Sequence, residues 1–337
     1  MINGLFMRGM VMIERILVPL DGSARSEEAL AIAGRLARAT GASLLLMRVI
    51  TPEQFHMHLH TDVSEYMLEQ MRKMYLEEAE TYLKQVMASS RLQGIRASSK
   101  VVVGLPGDCI LRQAQEYDAQ LIVMCSQGGV REEGVRWLMG SVAQYVERQS
   151  AVPVLLVRDE RLFAASQKGE APGILVALDG SPYAETTLVP AAELAQALAW
   201  PQPGRIHLMY AVKVPSATEE PGEAQEEAAT YLKACQERFQ TGDLKQYGLK
   251  VVSSIVTYRP GEPLWQKILA TSCHDTQCDI IAMATHGREG LPRLRQGSVT
   301  EDVLQASSQP LLIVRPQLAD IEHVTQASKA KHQQEAP

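Results

Sequence analysis

The residues with the clearest chemical potential lie between Ile280 and Thr300, in the stretch I-I-A-M-A-T-H-G-R-E-G-L-P-R-L-R-Q-G-S-V-T. Gly287, Gly297 and Ser298 frame a loop that carries Arg288, Arg293 and Arg295 against Glu289. A net-positive, Gly-containing loop that leaves a strand and opens a helix offers aligned backbone N–H groups and a favourable potential to phosphate. The same residues also suit an ordinary strand-to-helix turn with Ser298 as N-cap. A single glycine pattern does not separate these readings. Repetition does, because Cys125-Ser126-Gln127-Gly128 followed by Gly140-Ser141 repeats the pattern in the first half of the chain.

Other landmarks recur at nearly one offset. R-I-L-V-P-L-D-G-S from Arg15 returns as G-I-L-V-A-L-D-G-S from Gly173, so Asp21 and Asp179 stand 158 positions apart. Gly140-Ser141 returns as Gly297-Ser298, and V-P-V-L-L-V-R from Val152 as Q-P-L-L-I-V-R from Gln309, each 157 apart. A shared period of this length identifies a tandem duplication.

Each half reads as strands alternating with helices. In the first, apolar runs at Arg15 to Leu20, Ser43 to Ile50, Arg96 to Val103, Leu121 to Cys125 and Val154 to Arg158 predict strands. Helical spacing covers Ala24 to Thr40, Asp62 to Leu92, Gly107 to Tyr117 and a segment from Ser141. The second half predicts strands at Ile174 to Leu178, Arg205 to Val212, Leu249 to Tyr258, Ile280 to Ala284 and Leu311 to Val314. Its helices are Tyr183 to Trp200, Glu223 to Tyr247 and Leu264 to Thr276. This alternation predicts an α/β fold of two tandem doubly wound domains, with parallel sheets, right-handed crossovers and helices on both faces. Domain bounds follow as 13–158 and 173–316, with an N-terminal extension 1–12, a linker 159–172 and a polar tail 317–337. Ligands of such sheets bind beyond the carboxyl ends of the strands, where the strand order switches. If the first and fourth strands are neighbours, each Asp and its Gly loop share one crevice. The apolar last strands would leave exposed edges, which predicts that the halves pack on each other as an internal pseudo-dimer.

Composition narrows the partners. A chain of 337 residues suits two domains, and 46% hydrophobic with 21% charged residues is a globular composition. Net charge −6 without a basic cluster argues against nucleic acid. No apolar run is long enough for a bilayer, and Arg8 interrupts the N-terminal apolar stretch, so neither membrane span nor signal peptide is expected. Five cysteines without CxxC spacing point to a reducing, cytoplasmic setting.

With these motifs in hand, both halves resemble the universal stress protein family from Glu14 to Pro316. The resemblance implies a five-stranded parallel sheet per half, of the adenine nucleotide alpha hydrolase-like kind, in a family that dimerises or occurs in tandem. Its nucleotide-binding members carry Gly, two residues, Gly, nine residues, Gly, then Ser or Thr. The second half gives Ala284-Thr285-His286-Gly287, nine residues, then Gly297-Ser298; the first has Cys125 at the first Gly position and eleven loop residues before Gly140. The resemblance implies ATP, or ADP or AMP, as ligand, with Mg as a candidate accompanying ion. It marks Asp179 with Ala177 at the adenosine, Ala211 beside adenine, Gly287, Gly297, Ser298, Val299 and Thr300 around the phosphates, and Met283 as a further nucleotide-binding residue. The first-half counterparts are Asp21, Pro19, Val49, Gly128, Gly140, Ser141 and Val142.

Since Gly is what lets backbone approach a ligand closely, Ala284 intrudes less than Cys125. The shorter, net-positive loop also favours the second half, although Tyr258 stands where the first half has Gly104. No Walker A, GxSxG or HExxH pattern occurs, so the function expected is a regulatory or sensor module with at most weak ATP hydrolysis or autophosphorylation. Its partners would be the nucleotide, a protein partner and a homodimer as a further assembly. The alternatives are an interaction protein of the same fold without nucleotide, and an adenylate-transferring ATP pyrophosphatase, whose Ser-Gly-Gly-x-Asp-Ser loop is not matched by Leu20-Asp21-Gly22-Ser23. His56, His58 and His60 alternate in a metal-like way but read as a solvent-exposed loop. Cys273, His274 and Cys278 do not share a helix face. Met67, Met71 and Met74, at helical spacing, read as core filler.

Overall fold

The computed structural model describes residues 13–52, 65–126, 139–158, 171–214, 222–285 and 299–317. In the first half β1 (Arg15–Leu20), α1 (Ala29–Thr40), β2 (Ser43–Ile50), α2 (Glu65–Met87), β3 (Ala97–Val103), α3 (Pro106–Glu116), β4 (Leu121–Cys125), α4 (Ser141–Gln149) and β5 (Val154–Val157) follow in order. The second half repeats the pattern with β6 (Gly173–Leu178), α5 (Pro182–Glu185), α6 (Leu188–Ala199), β7 (Arg205–Lys213) and α7 (Gly222–Gln240). It continues through β8 (Lys250–Tyr258), α8 (Leu264–Ala270), β9 (Ile280–Ala284), α9 (Val299–Ala306) and β10 (Leu311–Val314).

The strands form one ten-stranded sheet in the order β3-β2-β1-β4-β5-β10-β9-β6-β7-β8. Within each half all pairings are parallel, β1 lying between β2 and β4, and β6 between β7 and β9. Among the described residues the one antiparallel pairing joins the halves, with Leu311 opposite Leu156 and Ile313 opposite Val154. The expected internal pseudo-dimer therefore takes the form of a continuous sheet. Its central strands are apolar along their whole length because helices cover both faces. The outermost strands β3 and β8 are more exposed and carry Ser98, Ser99 and Lys100, and Lys250, Ser253 and Ser254, which discourage further edge pairing.

Two core layers span both halves. One joins α1 and α2 with α6 and α7 through Leu30, Leu36, Leu83, Leu188 and Leu232; the other joins α3 and α4 with α8 and α9 through Ile110, Val146, Ile268 and Val303. Helix α1 ends at Gly41, whose φ of 76° gives the left-handed cap and whose N–H reaches the Ala37 carbonyl at 2.9 Å.

Several expected helices are shorter than their periodicity suggested. Ser26–Glu28 is a 3-10 turn before α1, Tyr183 to Trp200 divides into α5 and α6, and Thr271–Asp275 is π-helical. The methionine stripe of α2 is not core. Met67 and Met74 are 58% and 54% exposed, because the helix begins before it meets the sheet and buries Ala79, Leu83 and Val86 instead. Among the described residues no helix is long and apolar enough to cross a membrane. The His56 to His60 tract, the extension 1–12, the linker residues 159–170 and the tail from 318 lie outside the described residues.

Candidate functional site

The placement of β1 beside β4 brings Asp21, which follows Leu20, next to the end of β4 at Cys125. There, at the carboxyl ends of the first-half strands, a cavity of about 320 Å³ opens. Its lining includes Pro19, Asp21, Val49, Gly140, Ser141 and Val142, six of the seven first-half positions singled out in the sequence. Gly128, the seventh, lies outside the described residues, as do Gly287, Gly297 and Ser298.

The Asp turn is built from its own sequence. Ser23 donates to Asp21 Oδ1 through its amide at 2.9 Å and its hydroxyl at 2.6 Å. Burial works against the charge, but the Ser23 and Ser26 hydrogen bonds prevail and hold the carboxyl below the usual range. Asp21 is thus a stable anion, suited to accepting from hydroxyls and unsuited to general acid–base work near neutrality. The second half copies this turn: Ser181 donates to Asp179 Oδ1 at 2.9 and 2.6 Å, and caps α5 by accepting from the Ala184 amide.

The turn glycines differ in surroundings. Gly22 and Gly180 have φ of 89° and 80°, the left-handed region that glycine enters without strain. A Cβ at Gly22 would lie 3.0 Å from the Arg48 guanidinium, and one at Gly180 would lie 2.8 Å from the Tyr210 hydroxyl. Arg48 lies over the Tyr82 ring at 5.0 Å, whereas Tyr210 meets Tyr231 edge-on at 5.4 Å. One crevice is therefore flanked by a cation and the other by a phenol.

The opposite wall of the first cavity is α4. Its N-cap is Gly140, without a side-chain cap, so Ser141 is the first helical residue. The helix N-terminus presents its amides and positive dipole end to the cavity mouth. Gly140 is anchored through its amide to the Ser126 carbonyl at 2.8 Å. The remaining lining is largely apolar: Met47, Met124, Ile110 and Pro106, with Cys125 at the end of β4. These residues were not among the sequence candidates, although Met47 sits two residues before Val49 on the same strand face and Pro106 occupies the first turn of α3. An apolar slot, one anionic carboxylate and a helix N-terminus together fit a planar heterocycle, a polyhydroxyl sugar and phosphate in that order.

In the second half, Ala177 and Ala211 are partly buried against the same core layer as Met283, which is 6% exposed, and Val299 packs there too. Thr300 is buried, and its hydroxyl donates to the Ala284 carbonyl at 3.2 Å, fastening α9 to the end of β9. Among the described residues no cluster of three or more His, Cys, Asp or Glu is poised to hold a metal.

Comparison with known proteins supplies the lineage. The model of the universal stress protein family matches residues 12–158 and 173–315. A universal stress protein of Mycobacterium tuberculosis is 27% identical over 247 residues, covering 69% of this chain and 72% of that protein. One from Thermus aquaticus is 34% identical over 148 residues, covering 44% of this chain and 100% of its own length. Among solved structures, a universal stress protein from Archaeoglobus fulgidus superposes with a TM-score of 0.64 at 21% identity, covering 89% of this chain and 98% of that one.

Proposed function

The chain belongs to the universal stress protein family, and from that premise we propose that it binds ATP or a related adenine nucleotide in two crevices and serves as a stress-response regulatory module. The observation that carries this reading is the first-half cavity, where Pro19, Val49, Met47 and Ile110 flank the space for a base. Asp21 would accept from the ribose hydroxyls, and the start of α4 at Ser141 and Val142 would face the phosphates. The second crevice would use Ala177, Asp179, Ala211, Met283, Val299 and Thr300 in the same way, with Gly287, Gly297 and Ser298 in its loop. Mg would enter only with a polyphosphate, held by its oxygens. A stable Asp21 anion favours binding and release over chemistry.

Freshly purified protein, denatured and analysed for released nucleotide, is expected to yield an adenine nucleotide. Calorimetric titration of stripped protein with ATP and Mg should give two sites per chain, the second-half site being the tighter. Val49→Trp should fill the first cavity and remove the weaker site, and Ala211→Trp should remove the tighter. No released nucleotide and no binding heat would leave the chain as an interaction protein of the same fold. Loss of the tighter site on Val49→Trp would reverse the assigned order.

A further inference from the structure

The seam between the halves contains more than strand pairing. The arginines that follow the two final strands cross it reciprocally. Arg158 donates to the Leu304 carbonyl near the end of α9, and Arg315 donates to the Gln149 carbonyl at the end of α4, at 3.2 Å. Each half thus satisfies terminal carbonyls of the other half's helix. Arg148 also pairs with Glu301 in the first turn of α9 at 2.6 Å.

One group in this seam is out of place. Glu147 precedes Arg148 on α4 and is only 3% exposed, with Thr285, the buried residue that follows β9, beside it; a donor hydroxyl there favours the ionised carboxylate. The duplicated positions differ. The counterpart of Glu147 is Leu304, and the counterpart of Thr285 is Ser126, whose buried hydroxyl has no partner among the described residues. A carboxyl is therefore buried at the seam on one side, where the duplicated position on the other has an alkyl chain.

We propose that Glu147 is a proton-operated latch at the seam: uncharged, it is tolerated in this buried interface and the halves stay closed, and ionised, its desolvated charge loosens them. Among the described residues its electrostatic neighbours are Arg148 on its own helix and Glu301 on α9. Glu301 already takes Arg148, so a carboxylate at Glu147 would compete for that one cation. Arg315 and Arg158 are directed to the helix-end carbonyls. On α3, which packs against α4, Asp108 accepts from Tyr145 at 2.5 Å.

Burial raises the Glu147 carboxyl from 4.5 to about 7, and Arg148 and Thr285 only partly oppose this. A carboxyl raised on folding holds more protons in the closed form than in the open one. Its stabilising effect is complete below the ordinary value and is lost as pH rises through about 7. An anion bound in the second crevice would favour neutral Glu147 and so take up a proton. That consequence rests on the nucleotide reading, whereas the latch needs no ligand.

The test uses ligand-free, full-length protein and amide hydrogen exchange at the β5–β10 pairing, Leu155, Leu156, Leu311, Leu312 and Ile313. Corrected for intrinsic exchange, protection should fall about 25-fold between roughly pH 5.5 and 8, the change expected of one carboxyl shifted in this way. Glu147→Gln should abolish that dependence. Glu193→Gln, which removes another buried carboxyl raised to about 7, should retain it at the seam. Wild-type dependence in Glu147→Gln, or none in the wild type, overturns the latch. Should Glu147→Gln fail to fold, direct carboxyl titration of the wild-type protein by isotope-edited spectroscopy decides. A midpoint near 7 supports the latch, and one in the ordinary carboxylate range overturns it.

Discussion

A chain ending at Arg158 is expected to form a dimer in sedimentation equilibrium at micromolar concentration, with little monomer. In the whole protein β5 is flanked by β4 and β10, and its residues Val154 to Val157 are at most 1% exposed. Removing the second half would open an apolar strand edge together with the faces of α1 and α4 that the second half covers. Arg35 of α1, for instance, donates to the Leu198 carbonyl of α6 at 2.6 Å, and Arg148 pairs with Glu301. A second copy can restore strand pairing by the same antiparallel register, and aggregation is the alternative route to covering the edge. A stable, soluble monomer of residues 1 to 158 would show that the seam is dispensable.

Arg238→Met should be the most damaging single change away from the crevices. Arg238 and Glu185 pair at 3.1 Å with side chains only 11% and 10% exposed, and Arg238 also holds Asp243 at 2.8 Å. Burial already pushes the Glu185 carboxyl upward, with Arg238 opposing that rise. Removing one partner of a buried pair leaves the other charge uncompensated, at a cost of about 3–5 kcal/mol. Urea unfolding should show this as a lower midpoint, recovered in part when Glu185→Leu is added. An unfolding free energy within about 1 kcal/mol of wild type, close to the roughly ±0.5 kcal/mol expected of surface sites, would place the pair among exposed contacts.

Much of this was legible in the residues. The runs L-I-V-M-C and I-I-A-M-A read as buried strands because both faces are covered, and the duplicated Asp-Gly-Ser turns announced the crevice edges. What escaped was whatever depends on elements distant in sequence. Met124, Ile110 and Pro106 meet Val49 only through the two crossovers that lead from β2 to β4, and no spacing reports that meeting. The split of Tyr183 to Trp200 falls at Thr186 and Thr187, and its one sequence signal is Pro190, which a helix tolerates in its first turn and not in its interior. Met67 and Met74 carry a core-like spacing, yet their turns of α2 precede the sheet they would have to reach. Glu147 carries no signal of burial in its spacing, and only the seam encloses it.

The duplication also changes what the seam is allowed to contain. In a dimer of identical subunits every contact occurs twice, so a residue favourable on one side of the dyad must be tolerated on the other. Joining two unequal copies in one chain lifts that restriction. Here it permits an Arg148–Glu301 pair and a buried carboxyl beside Thr285 on one side, with Leu304 and Ser126 at the duplicated positions on the other. A dimer rebuilt from the first half alone would regain the mirror copy and bring a Glu147 to both sides of its seam. Such a dimer carries two acids at its centre where the natural chain carries one, and its assembly should respond about twice as steeply to pH.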